Sequence, residues 1–305
     1  IPCVAYTTWE LTGFWVSMDG IAPQGWGGHV FRAIMTPDAA LARTPQEWLP
    51  HAVPRSRVLP VQGGVRRRLP RDHAAPLRVS PGSATSTRFY SLGAWTARKN
   101  PMGVLRAFSR AFYCDSLPDV SLTIHAPSLS LTQQALALAA TGAPHDWLRR
   151  HVFFHTEWLD DESLWAFHNE HDVFVSASRG EAWNLPAFEA ATAGNMVIAH
   201  YGQGSDAFLT RENSRRVHSL GLEPGWYDTE LVRGASSDTG SVGVAMTGPT
   251  GMCPLHLWQV PNIAAISDEI RSACYSGQTS ALDANGMFTD DQVANIAADS
   301  LTTIR

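Results

Sequence analysis

From residue 86 onward the chain alternates short apolar runs with longer stretches whose apolar positions recur every three to four residues. "RFYSLGAW", "VSLTIHA", "HVFFHTEW", "DVFVSAS" and "NMVIAHY" are the short runs, and each predicts a buried strand. "NPMGVLRAFSRAFY", "SLTQQALALAATG", "DDESLWAFHNEH" and "LPAFEAATAG" lie between them and predict helices of about three turns. Strands that read as continuous apolar runs, separated by helices, predict a parallel sheet covered on both faces. Ligands of such sheets bind beyond the carboxyl ends of the strands.

Before residue 86 the pattern is looser. "IPCVAYTTW", "HVFRAIMTP" and "RVLPVQGGV" predict strands, and "PDAALARTPQEWLPHA" a short helix broken by prolines. "RRRLPRDHAAPLRVSPGSATS" has no periodicity and is rich in Pro, Ser and Gly, as in an exposed linker. The pattern weakens again over 210–257, which predicts an insertion or long loop. "VPNIAAISDEIRSACY" then restores a helix, and "TDDQVANIAADSLTTI" predicts a last one with acidic residues in its first turn. The expected division is 1–85 for an acceptor-side domain, 86–278 for a ligand-binding domain, and 279–305 for a C-terminal helix packing back toward the first.

Composition narrows the class. The 305 residues are 44% hydrophobic and 17% charged, enough to bury a large core, and no run of about 18 apolar residues predicts a membrane span. The net charge of -5 gives no overall attraction to nucleic acid. Cys3, Cys114, Cys253 and Cys274 show no CxxC spacing, so free thiols in a reducing, cytoplasmic compartment are expected. Twelve histidines are scattered without ligand spacing, so no metal is expected. The first residue is Ile1 rather than Met, which we read as a trimmed or processed chain with protein missing before it.

The chemistry concentrates in "SRGEAWNLPAFEAATAGNMVIAH", Ser178 to His200. Glu181 is expected in the loop after a strand, and Glu189 about one turn into the next helix. Asn184 is a suitable N-cap, and Pro186 sits in the first turn, where it costs little. The free N–H groups of Trp183 to Leu185 suit a phosphate. Carboxylates do not attract phosphate, but they accept hydrogen bonds from vicinal hydroxyls. Carboxylate, helix N-terminus and carboxylate together match a sugar–diphosphate–ribose ligand, a nucleotide sugar.

This stretch resembles the retaining glycosyltransferases of the GT-B fold, specifically the large family-four group with its E-x7-E motif. "YSLGAWTARKNPMGVLRAF" is similar to the opening of that group's C-terminal domain with its R-K-G-like turn, and "WQVPNIAAISDEIRSACY" to its late helix. The resemblance is good from Tyr90 to Tyr275 and loose over the first 65 residues. It implies an α/β protein of two Rossmann-like parallel-sheet domains, the N-terminal one reduced or incomplete at about 85 residues. It implies transfer of a sugar from a nucleotide-diphosphate sugar to a hydroxyl, with retained configuration and no metal; the absence of a D-x-D triplet agrees. By the same resemblance Glu181 contacts the donor sugar and Glu189 the ribose. Lys99, with Arg98 nearby, neutralises the diphosphate, and "HTEWLDDESL" supplies part of the base pocket. Ala182, Trp183, Asn184 and Leu185 complete the donor site. Ala182 and Asn184 replace glycines of the group's E-G-x-G-L-P pattern.

Other candidates keep two readings each. Glu10 either positions or deprotonates the acceptor hydroxyl, or is a solvated strand-end carboxylate. His125 and His155 follow strands and either line the cleft or are structural. Arg66, Arg67 and Arg68 lie among seven arginines between 55 and 78, with Asp72 the one acid. That patch suits a polyanionic acceptor such as hydroxymethylated DNA of a viral modification system, or a solvated linker. Two readings from other classes are a glycoside hydrolase using Glu181 and Glu189, and a nucleotide-sugar-binding protein without catalysis.

Overall fold

A computed structural model describes residues 3–6, 31–36, 58–60, 86–113, 119–127, 129–181, 183–224 and 257–276. The first three ranges form strands β1 (Cys3–Tyr6), β2 (Phe31–Thr36) and β3 (Val58–Pro60), paired in that order and all parallel. Glu10, Arg66, Arg67, Arg68, the proline-broken helix and the last helix lie outside the described residues.

The larger sheet contains β4 (Ser86–Leu92), β5 (Asp119–His125), β6 (Val152–His155), β7 (Val173–Val175), β8 (Met196–His200) and β9 (Ser214–Val217). Its order is β6-β5-β4-β7-β8-β9, and every pair is parallel. Among the described residues six α-helices accompany it: α1 (Pro101–Phe112), α2 (Leu131–Ala139), α3 (His145–His151), α4 (Asp161–Glu170), α5 (Leu185–Thr192) and α6 (Ile263–Ser276).

Side-chain alternation along the central strands builds two cores. On β4, Phe89 enters one core and Tyr90 the other, both fully buried. On β7 the residues Val173 and Val175 join Phe89, while Phe174 joins Tyr90. The Phe89 core holds Val104, Leu105, Phe108 and Phe112 of α1, with Ile266 and Ile270 of α6. The Tyr90 core holds Phe167 of α4 and Ala187, Phe188, Ala190 and Ala191 of α5. Both faces are therefore covered, which explains why these strands read as unbroken apolar runs.

Local signals set the helix starts. Asn100 Oδ1 accepts from the Gly103 N–H at 3.1 Å, with Pro101 following at the first helical position. Ser130 and Gln133 form a reciprocal capping box on α2. Asp160 Oδ1 accepts from the Ser163 N–H at 2.8 Å.

Two expectations are corrected. Residues 210–257 are not an insertion throughout, because Ser214–Val217 is the sixth strand of the sheet. Beyond it β10 (Gly221–Pro224) pairs antiparallel with β11 (Leu257–Val260) as a separate ribbon. An edge strand carrying Arg215 and Arg216 has no apolar signature. Helix α3, two turns with only Leu148 buried, is another element that periodicity does not reveal.

Candidate functional site

The sheet order creates the site. From β4 the chain proceeds outward through β5 to β6, then returns to β7 on the other side of β4 and continues to β8 and β9. The loops leaving β4 and β7 therefore diverge from neighbouring strands and leave a crevice at their carboxyl ends. Gly93, Lys99, His125, Glu181 and Asn184 line a crevice of about 330 Å³ there, part of it open to solvent.

The two loops are stitched together. The Arg179 N–H donates to the Arg98 carbonyl at 2.8 Å. Ser178 Oγ donates to the same carbonyl at 3.2 Å, and Arg98 Nη1 donates to the Gly180 carbonyl at 2.7 Å. From the far side, Gln203 Nε2 donates to the Ser178 carbonyl at 2.8 Å and the Gln259 N–H to the Arg179 carbonyl at 2.8 Å. The loop carrying Glu181 is thus fixed before any ligand arrives.

Glu181 is buried against two cations. Lys99 Nζ lies 2.7 Å from Oε1 and 2.9 Å from Oε2, and Arg98 Nη1 lies 3.3 Å from Oε2. Two cationic side chains converge on this one carboxylate. This resolves the difficulty of placing a carboxylate beside a phosphate-binding helix start, because its charge is already offset.

Helix α5 begins next to this cluster. Asn184 is its N-cap residue but not in the expected way. Its backbone is left-handed, with φ 63° and ψ 64°, and its side chain makes no capping hydrogen bond. Glycine takes this conformation without strain, and Asn is among the few other residues that tolerate it. Asn184 therefore holds a backbone that glycine would adopt freely. It adds a buried side-chain amide to the crevice wall, and Nδ2 has no hydrogen-bond partner among the described residues. Asn100 adopts the same left-handed backbone at the start of α1, with φ 49°.

The remaining sequence-predicted residues separate. Trp183 packs its ring against Phe188 and Phe208, and Leu185 is half exposed. Ala182 lies outside the described residues. Glu189 is buried on α5, and Oε2 lies 3.6 Å from His168 Nε2 rather than on the crevice wall with Glu181. His125 lines the crevice and His155 does not. His125 Nε2 lies 2.9 Å from the Glu157 carbonyl, its ring is 5.2 Å from that of His155, and burial holds its pKa below the usual imidazole value. Residue types alone do not reveal that His168 meets Tyr90 and Asn195.

No family model matches the chain, and neither does any curated protein. Solved structures do. The chain is similar to a glycosyltransferase from Rickettsia africae ESF-5, with a TM-score of 0.58 and 11% identity, over 99% of this chain and 65% of that one. It is similar to Anabaena HepE in complex with UDP and glucose, with a TM-score of 0.59 and 12% identity, over 99% and 72%. It is also similar to the pneumococcal O-GlcNAc transferase GtfA in complex with UDP and GlcNAc, with a TM-score of 0.63 and 11% identity, over 99% and 52%. The chain thus spans between half and three quarters of the length of these structures. The fold it shares with them is GT-B.

Proposed function

We propose that this chain transfers a sugar from a nucleoside-diphosphate sugar to a hydroxyl acceptor, with retained anomeric configuration. The observation that carries this reading is the Arg98–Lys99–Glu181 cluster beside the N-terminus of α5, at the point where the sheet order reverses. Such a helix start with two cations beside it suits a diphosphate. As the glycosidic bond breaks, negative charge grows on the leaving diphosphate, and fixed cations stabilise that charge more than the ground state. Lys99 spends two of its three donor hydrogens on Glu181 and keeps one for a phosphate oxygen. Glu181, held by its partners, accepts from sugar hydroxyls. Glu189 takes the ribose.

The similar structures from Anabaena and pneumococcus hold UDP with a sugar, which supports the same ligand class here. The cations supply the leaving-group stabilisation that a metal supplies in other transferases, so no cofactor is part of the proposal. A hydrolase would need two carboxyls facing each other across the scissile bond, whereas Glu181 is engaged by Lys99 and Arg98 and Glu189 lies beside His168. A cytoplasmic location is part of the proposal, on cysteine usage. Among the described residues no helix is long and apolar enough to cross a membrane. The DNA-acceptor reading rests on Arg66, Arg67 and Arg68, outside the described residues.

Calorimetry with UDP and GDP, followed by release of diphosphate from UDP- and GDP-sugars, tests the proposal. Binding with turnover supports it. Binding without turnover under any acceptor leaves a nucleotide-sugar-binding protein, and neither binding nor turnover removes the reading altogether.

A further inference from the structure

Every backbone carbonyl from Ser178 to Glu181 is held by a donor. The Ser178 carbonyl accepts from Gln203 Nε2 at 2.8 Å and the Arg179 carbonyl from the Gln259 N–H at 2.8 Å. The Gly180 carbonyl accepts from Arg98 Nη1 at 2.7 Å and the Glu181 carbonyl from the Gly204 N–H at 3.0 Å. Three of these four donors come from two segments, the turn after β8 and strand β11.

Two glutamine side chains join those segments to each other. Gln259 Nε2 donates to the Tyr201 carbonyl at 2.8 Å and to the Gly202 carbonyl at 3.3 Å. A carbonyl only accepts, so the Gln259 amide turns its nitrogen to that turn and its oxygen to Gln203. Gln203 Nε2 donates to Gln259 Oε1 at 2.9 Å, and the same nitrogen donates to the Ser178 carbonyl. The approach is close. Gly202 has φ 79°, and a Cβ there would lie 2.9 Å from Gln259 Nε2. Glycine permits both the backbone and the contact.

The brace ends at Glu181, whose backbone it holds while Lys99 and Arg98 hold the carboxylate from the other loop. Glu181 lines the crevice and neither glutamine does. We propose that Gln203 and Gln259 act as one positioning unit for Glu181, setting where its carboxylate meets the donor sugar. The brace rests on the hydrogen bonds, while its role at the sugar rests on the transferase reading. A displacement of about 1 Å at a reacting site costs about a hundredfold in rate, so a remote brace of this kind is read in turnover.

Two measurements test this separately, on Gln203→Met, Gln259→Met and the double variant. Methionine keeps the side-chain length and removes the amide. Amide hydrogen exchange by NMR reads the brace without a ligand. Exchange at the Arg179 and Gly204 N–H groups is expected to accelerate about tenfold, the size of one hydrogen bond, with β4 and β5 unchanged. Unchanged protection at both groups, or a loss spread equally over β4 and β5, overturns the brace. The second measurement compares affinity for UDP and GDP with diphosphate release from UDP-glucose, UDP-GlcNAc and GDP-glucose. Turnover is expected to fall about a hundredfold while affinity for the bare nucleotide, which lacks the sugar, is kept. The double variant is expected to be no slower than either single one, because a cut at either end removes the same unit. Unchanged turnover, affinity and turnover falling together, or a double loss equal to the product of the single losses each overturn the positioning unit. A wild-type chain without turnover overturns the role at Glu181 and the transferase reading together, while hydrogen exchange still decides the brace.

Discussion

Lys99 Nζ lies 2.7 and 2.9 Å from the two carboxylate oxygens of Glu181, a residue 82 positions further along the chain. The Glu181 side chain is only 3% exposed and that of Lys99 is 21% exposed. The pair therefore joins the loop after β4 to the loop after β7 inside a partly dry crevice. Its geometry serves stability and the proposed chemistry at once.

Replacing Lys99 by Met separates the two. Removing one partner of a buried pair strands the other charge. Arg98 remains beside Glu181, so the loss should be roughly 2 kcal/mol, below the 3–5 kcal/mol typical of a fully buried pair. Turnover of a nucleotide sugar should fall by about a hundredfold or more, as on loss of a donor to a developing anion. Glu181→Gln combined with Lys99→Met should recover much of the stability and none of the turnover. Urea midpoints and diphosphate release measure the two quantities. Recovery of turnover in the double variant would remove Lys99 from the chemistry.

Asn184 should tolerate glycine and resist alanine. At φ 63° a Cβ-bearing residue without a compensating polar side chain is strained by about 1–2 kcal/mol. Asn184→Gly should therefore melt close to wild type, and Asn184→Ala several degrees lower. The buried Nδ2 on the crevice wall adds a second readout. If that amide contributes to nucleotide affinity, Asn184→Gly weakens binding while leaving stability unchanged, and calorimetry with UDP or GDP resolves it.

Gly103 is constrained by the residue that caps its own helix. A Cβ there would lie 2.3 Å from Asn100 Nδ2 and 3.0 Å from the Ala177 Cβ. Asn100 cannot retreat without breaking its bonds to the Gly103 N–H at 3.1 Å and the Ala177 carbonyl at 3.1 Å. Gly103→Ala should therefore destabilise by about 1–2 kcal/mol through loss of the cap, despite the better helix propensity of alanine. A chemical-denaturation midpoint equal to or above wild type would show that the cap is dispensable.

These cases mark what the sequence carries and what it does not. Phe89 and Tyr90, and Val173 to Val175, announce their strands because both sheet faces are apolar. The loop position of Glu181 and the N-cap position of Asn184 follow from the same run. The left-handed backbone of Asn184 does not, because asparagine caps helices more often by its side chain than by its φ angle. Strand β9 escapes the pattern because an edge carrying Arg215 and Arg216 shows no apolar run. The contacts of His168 with Tyr90 and Asn195 span 78 and 27 residues and depend on how α4 lies against the sheet, which no local pattern encodes.

His200 gives the acid limb of stability. It ends β8 at 1% exposure, and its Nε2 accepts the Asn262 N–H at 3.1 Å, which a protonated imidazole cannot do. Burial lowers its pKa to about 4 from the ordinary value of 6.5. Above pH 6.5 both folded and unfolded forms are neutral at this position, and its contribution is constant. Between 6.5 and 4 the unfolded chain binds a proton that the folded chain refuses, so stability falls as pH falls. The loss reaches about 2 kcal/mol at pH 5, because one proton taken up only by the unfolded chain costs ~1.36 kcal/mol for each pH unit crossed. His125 and His171 are also lowered by burial and act in the same direction, so wild type alone cannot isolate His200. His200→Gln is neutral at every pH and should lose that part of the slope. Urea midpoints of both proteins at about pH 7.5, 6 and 5 measure the difference across this window. Parallel curves would mean that His200 accepts its proton in the folded state as readily as in the unfolded one.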